Sequence, residues 1–220
     1  MLTQKEFDIM LEEHNKWLDD LRTGQKLVLS NRNLSQLDFS KLNLTEVTFI
    51  ECNLEKASFE QACLNECIFK ECNLVKTNFD RASLKDCSIK QSDLSYAEMF
   101  RVVLEECFMK ANLFEQTNLR ESYIINSDLS EAIFTKVALT NATIIESNLE
   151  EAVFTETFLV GVIFRYSYLR NVVFDNCEFC HADFREANIE YIDFTNEVYI
   201  LWISEVLSQE GLCSRTKRRY

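Results

Sequence analysis

Nine cysteines and two histidines are the residues of this chain best able to do chemistry. Cys67, Cys87 and Cys107 lie twenty residues apart, and Cys52, Cys72 and Cys177 fall on the same grid of fives. Converging thiolates would hold zinc, which asks for a tetrahedral ligand set. Cys180 directly before His181 would offer a nucleophile beside a base. Paired carboxylates are abundant, and acid–base work would need a pocket that shifts one of a pair. The chain has no glycine-rich phosphate loop and no context for a serine triad. What these groups can do depends on what positions them.

The positioning element repeats every five residues, a period that neither an α-helix nor a flat strand has. From Leu34 to Phe194 every fifth residue is Leu, Phe, Ile or Met, 33 positions without a gap. Two residues before each such centre stands a second set, mostly Ala, Cys, Ser, Thr or Val, as in Cys52, Ala57, Ala62 and Cys67. With both sets pointing inward, each unit is one short side and one corner. Four units then close a square coil, and coils stack about 4.8 Å apart with strand-like hydrogen bonds. Residues 32–196 supply about eight coils, a rod of roughly 38 Å. Proline is absent and glycine occurs only at 24, 161 and 211, so the corners must use a turn open to ordinary residues.

The units "SNLEEAVF", "CNLEKASF" and "SDLSEAIF" resemble the A(D/N)LxX motif of pentapeptide-repeat proteins. That resemblance implies a right-handed quadrilateral parallel β-helix, an all-β solenoid. We read residues 1–24 as an N-terminal capping helix, 25–196 as the solenoid and 197–220 as a C-terminal helix with a basic tail. Thr3 and Glu6 form a candidate capping box and Gly24 a stop. Phe7, Met10, Leu11, His14, Trp17, Leu18 and Leu21 recur on one helical face. At the far end, Tyr199, Trp202, Ile203 and Val206 would form the apolar stripe of the second helix. In the quinolone-resistance members a C-terminal helix joins two solenoids, so the resemblance implies a homodimer through Tyr199, Trp202 and Val206.

This architecture decides the chemistry. Six cysteines occupy the small inward slot, where a straight column one coil apart is the wrong geometry for a metal. They are expected to be small buried hydrophobes. Cys63 and Cys180 point outward. His14 belongs to the cap, and Cys180 and His181 diverge at a corner. We expect no catalytic residue, metal or cofactor. One irregularity stands out: the alternation of Leu with Phe, Ile or Met inverts between Met99 and Leu119, and Asn112 occupies a small apolar slot. A unit lost or looped out near residues 105–118 would explain both.

Outward positions read at intervals of twenty form columns. One column holds Glu46, Glu66, Asp86, Glu106, Asn126, Glu146, Tyr166 and Glu186. The next side holds Glu51, Glu71, Gln91, Ala111, Glu131, Glu151, Asn171 and Tyr191. Ten acids over the rod give about one charge per 4 Å, against one per about 1.7 Å in duplex DNA. Net charge is −13, so unassisted nucleic-acid binding is not expected. A third column turns from Asn33, Asn53, Asn73 and Asp93 to Leu113, Ile133, Val153 and Val173, an apolar strip with Tyr123, Ile163, Tyr166 and Tyr168 nearby in sequence. Two functions follow. The acidic rod resembles family members that protect type II topoisomerases by mimicking DNA, which implies DNA gyrase or topoisomerase IV as partner. Alternatively, the apolar strip of Ile133, Val153 and Val173 makes the rod a scaffold. Those topoisomerase members often carry loops and commonly lack a long front helix. No apolar run is long enough to span a membrane, and residues 1–17 lack a signal-peptide profile, so the chain reads as cytoplasmic. The family resemblance implies a bacterial protein.

Overall fold

The computed structural model describes residues 2–195 and, by backbone alone, the strand Tyr199–Leu201. It is an all-parallel β-solenoid of about eight coils with one helix at the front. The four sides are named by their inward centres: side A runs from Leu34 to Phe194, B from Phe39 to Phe179, C from Leu44 to Phe184 and D from Leu29 to Ile189. Residues pair with those twenty further on, as in Leu29 with Phe49, Leu104 with Ile124 and Phe154 with Phe174. Three sides carry extended ladders in turn: D over residues 28–90, C over 83–145 and A over 113–195.

The register never breaks between 105 and 118: Ser88 bridges Phe108, Asp93 bridges Leu113 and Glu98 bridges Asn118. The expected loop is therefore absent, and the inversion has another cause. In the first half, phenylalanines face each other from sides B and D. Phe49 stacks on Phe69 at 4.9 Å, Phe59 on Phe79 at 5.0 Å, and the two stacks meet edge to face at about 6 Å. In the second half they occupy sides A and C, with Phe134 stacked on Phe154 at 4.5 Å. Most coils carry one opposed pair of aromatic sides, and the last adds Phe179 of side B against Phe174 and Phe184. Ile89, Met99 and Met109 fill the level where the pair rotates, a place suited to unbranched, adaptable methionine.

The corners differ from expectation as well. Every corner from Asn31 to Tyr191 has φ between 49° and 68°, the left-handed region, and only Gly161 among them is glycine. Ordinary residues do occupy the turn, at about 1–3 kcal/mol of strain each. Stacking a coil on either side imposes that conformation. At many corners the slot residue donates its N–H to the centre three residues back, as Ala57 does to Leu54 and Ala152 to Leu149, each at 2.9 Å. Alanine and valine suffice there.

At other corners that bond is missing, and polar slot residues replace it. Cys107 Sγ donates to Leu84 O, Ser147 Oγ to Ile124 O and Thr157 Oγ1 to Phe134 O, always a centre twenty-three residues earlier. The freed N–H groups bond upward: Cys107 N to Ser127 Oγ at 3.0 Å, Ser127 N to Ser147 Oγ at 3.2 Å and Ser147 N to Ser167 Oγ at 3.1 Å. The inward cysteines are thus hydrogen-bond donors to backbone carbonyls as well as small fillers. Asn112 ends one such column. Its Nδ2 donates to Ile89 O at 2.6 Å and Met109 O at 3.0 Å, while its Oδ1 accepts from Ser92 N at 3.1 Å.

The front helix, α1, spans Gln4–Asp19 with Thr3 as N-cap and a complete capping box to Glu6. Phe7 meets Phe39 edge to face at 4.7 Å, covering the first coil. Gly24, at φ 63°, lets the chain return under the helix; a Cβ there would lie 2.1 Å from Glu13 O. At the far end the structure departs from the sequence reading at Tyr199–Leu201. Tyr199–Leu201 is a strand in parallel register with Glu178–Cys180, one residue beyond the twenty-residue repeat, so the solenoid continues where a helix was expected. Backbone groups left open by the preceding coil are paired by that strand. Trp202 and Val206 lie outside the described residues.

Candidate protein-binding surfaces

His14 and the inward cysteines are engaged in the fold, whereas Cys180 is half-buried and His181 stands at an exposed corner. His14 is fully buried; its Nδ1 accepts from Leu27 N at 3.0 Å and its Nε2 donates to Thr45 O at 2.7 Å. It ties helix to coil by a single neutral tautomer. Burial pushes the thiols of Cys72 and Cys177 up to about 11, so both are protonated and poorly nucleophilic at neutral pH. Cys67 and Cys87 are raised further, the latter chiefly by the neighbouring Cys107 thiol. Among the described residues, no three His, Cys, Asp or Glu side chains are grouped to hold a metal ion.

Both acidic columns are corner residues on the two edges of side D. Glu51, Glu66, Glu71, Asp86, Glu131 and Glu151 are exposed, and Glu46 and Glu106 are half-buried. Like charges at successive corners interact: Asp86 beside Glu106 holds the latter's carboxyl above the ordinary range. Sequence reasoning missed what runs between the columns. Lys70, Lys90 and Lys110 stand one residue after the side D centres, pairing Lys70 with Glu71 at 3.3 Å and Lys110 with Glu131 at 2.7 Å. Lys26 also pairs with Glu46, at 2.7 Å. Even so, from Glu46 to Glu190 side D and its corners carry thirteen acids and four bases. Side B and its corners, from Gln36 to His181, carry seven of each. The rod is electrically one-sided.

The apolar residues divide between opposite sides. Leu113, Ile133, Val153 and Val173 align in register on side A, with Ile133 46% exposed and Val153 and Val173 half-buried. Tyr123 and Ile163 are on side C, across the rod, while Tyr168 is on side D and Tyr166 at the corner between them. The expected single strip is thus two patches. Ile125 and Ile145 complete the patch on side C. The two columns one residue after the side C and side D centres, read at intervals of twenty, would have revealed them and the lysines.

The profile described as pentapeptide repeat region matches residues 28–99, and the profile described as pentapeptide repeats matches 132–167 and 163–196, more than half the chain in all. Among curated proteins none matches at a significant level. Among solved structures, a trypsin-treated variant of QnrB1, a plasmid-mediated fluoroquinolone resistance protein, is similar in fold. It has 21% identity over 78% of this chain and 91% of its own, with a TM-score of 0.62. HetL, a pentapeptide repeat protein involved in heterocyst differentiation regulation in the cyanobacterium Nostoc, is 19% identical over 77% of this chain and 85% of its own, with a TM-score of 0.34. With the five-residue period, the left-handed corners and these profile matches in agreement, the chain belongs to the pentapeptide-repeat family.

Proposed function

We propose that this protein is a non-enzymatic binding rod that presents side D and its acidic corners to a protein partner with a basic groove. The segregation of charge carries the reading: side D is strongly negative and side B neutral over the same length. A rod of this kind attracts a basic cleft over its whole length and orients on approach. Inward cysteines with raised pKa values and a histidine occupied by backbone on both nitrogens support a binding rather than a catalytic role. A type II topoisomerase is the partner to test first, because its DNA-binding saddle is basic and the fold is shared with QnrB1. Lysines 70, 90 and 110 distinguish the surface from a uniform phosphate lattice, so a partner would need carboxylates facing them.

The test is a supercoiling assay with DNA gyrase and topoisomerase IV, with and without a quinolone, alongside capture of purified enzyme at low and high salt. Binding that weakens steeply with salt and is abolished by changing Glu46, Glu66, Asp86 and Glu106 to Lys is expected. Neither protection nor inhibition at micromolar protein removes the topoisomerase. Exposure of Ile133 in a straight in-register column favours a second reading, a scaffold that binds through side A. Loss of a captured partner on changing Ile133, Val153 and Val173 to Ser, with charge reversal harmless, would select it. A homodimer through Tyr199, Trp202 and Val206 is tested by sedimentation of the full chain and of a Trp202→Ala variant.

A further inference from the structure

We infer that side C is a docking face for an amphipathic helix of another protein that carries Lys or Arg along one flank only. The observation is a framed apolar patch. Val103, Tyr123 and Ile163 lie in one column of this side and Ile125 and Ile145 in the other, with Thr143 between. Tyr123 is 49% exposed and the others are half-buried, so their outer surfaces form one flat floor. Ion pairs close the patch at both ends: Lys85 with Glu105 at 3.3 Å below, Arg165 with Asp183 at 2.6 Å above. The long edges differ. Toward side B, Arg101 is neutralised by Glu121 at 2.7 Å and followed by Asn141 and Gly161. Toward side D stand Glu106 and Glu146, which join no ion pair among the described residues, with the net negative side D beyond them.

Each feature constrains the occupant. The strands of this side are hydrogen-bonded to the coils above and below, so a partner cannot add a strand and must engage side chains alone. Four coils span about 14 Å along the rod, the length of a helix of roughly ten residues. An apolar stripe of that length, with cations on the flank toward side D and none on the flank toward side B, matches the frame and fixes the helix's rotation. The apolar floor of this site is separate from the proposed function, but its charged edge, Glu106 and Glu146, is also a corner column of side D, so the Ile125/Ile145 and Tyr123 changes are the ones that distinguish the two readings.

The probe is a fluorescein-labelled synthetic helix of about four turns with a Leu stripe and Lys on one flank, titrated by anisotropy against the full chain at low salt. A second peptide with Glu replacing the Lys is the charge control. The Lys peptide should bind, and the Glu peptide at least about tenfold more weakly. Ile125→Ser with Ile145→Ser, and separately Glu106→Lys with Glu146→Lys, should each weaken the Lys peptide by a similar factor. Tyr123→Ser is the exposed substitution that leaves the interior untouched and should act in the same direction, with circular dichroism unchanged. Glu51→Lys with Glu71→Lys, on the far edge of side D, should leave peptide binding nearly intact. No binding of the Lys peptide at about 100 μM, or binding indifferent to both the Ile125/Ile145 and Tyr123 changes, overturns the inference. Either result leaves the gyrase and topoisomerase assays unaffected.

Discussion

At the scale of single residues, the interior is a hydrogen-bond ledger as much as a packing problem. Asn112 is the clearest case, because its amide serves Ile89 O, Met109 O and Ser92 N at the level where the corner geometry changes. Asn112→Ala removes all three bonds and leaves buried backbone groups unpaired, which costs about 2–4 kcal/mol. Urea denaturation checks this, and an unchanged midpoint would mean that the amide is incidental. Phe154 lies fully buried between Phe134 and Phe174, whose ring centres are 4.5 and 5.0 Å away. Phe154→Asp places an unpartnered carboxylate there and costs several kcal/mol or prevents folding. Glu151→Lys, at an exposed corner three residues earlier, should stay within about 0.5 kcal/mol of the parent. Similar melting temperatures for the two variants would reverse the assignment of inward and outward faces.

At the scale of the element, the front helix is held by few contacts, and their chemistry makes it separable from the rod. His14→Leu leaves Leu27 N–H and Thr45 C=O without partners and should cost about 1–3 kcal/mol per group. Hydrogen exchange should show that loss first as faster opening of Phe7 to His14, with the distal coils protected. The helix also responds to acid. Glu6 is held below the ordinary carboxylate range by the Thr3 N–H and hydroxyl, and Asp38 by Ser40. A lowered folded pKa contributes stability that is complete above the unfolded value and is lost as pH falls through the folded one. Glu106, raised by Asp86, has the opposite sign: its strain is relieved as pH falls through the window between its folded and ordinary values. Acid should therefore loosen the cap while relaxing the acidic edge. Glu6→Gln keeps a capping-box acceptor without the titration. It should flatten the acid dependence of cap opening and leave that of the rod unchanged, as read by exchange at several pH values.

At the scale of the whole molecule, a solenoid is a chain of nearest-neighbour interfaces, and its weakest one sets how it opens. The level of Ile89, Met99 and Met109 joins two aromatic stacks that face across different pairs of sides, so no ring stacks on a ring through it. Native-state hydrogen exchange should divide there: amides of residues 34–84 and of 114–174 form two cooperative blocks, with the boundary within about one coil of Met99. A single block opening as a unit would show that ring stacking adds nothing to coil coupling. The same scale contains the division of charge, which no single corner displays.

The sequence by itself determined the solenoid, its inward centres and slots, the front helix with its capping box, and the two acidic columns. All of these follow from a strict period, because one residue out of step would turn a side chain from interior to solvent. Only the tertiary structure decided the rest. Whether Asn112 was a defect depended on carbonyls three and twenty-three residues away, which a linear reading does not bring together. That ordinary residues sit at left-handed corners follows from the stacked coils, against their local preference. Tyr199 lies in a strand because the preceding coil offers it a parallel edge, which overrides a helical apolar pattern. Ile133 and Tyr123, ten residues apart, belong to opposite surfaces because two turns of five residues carry the chain across the rod.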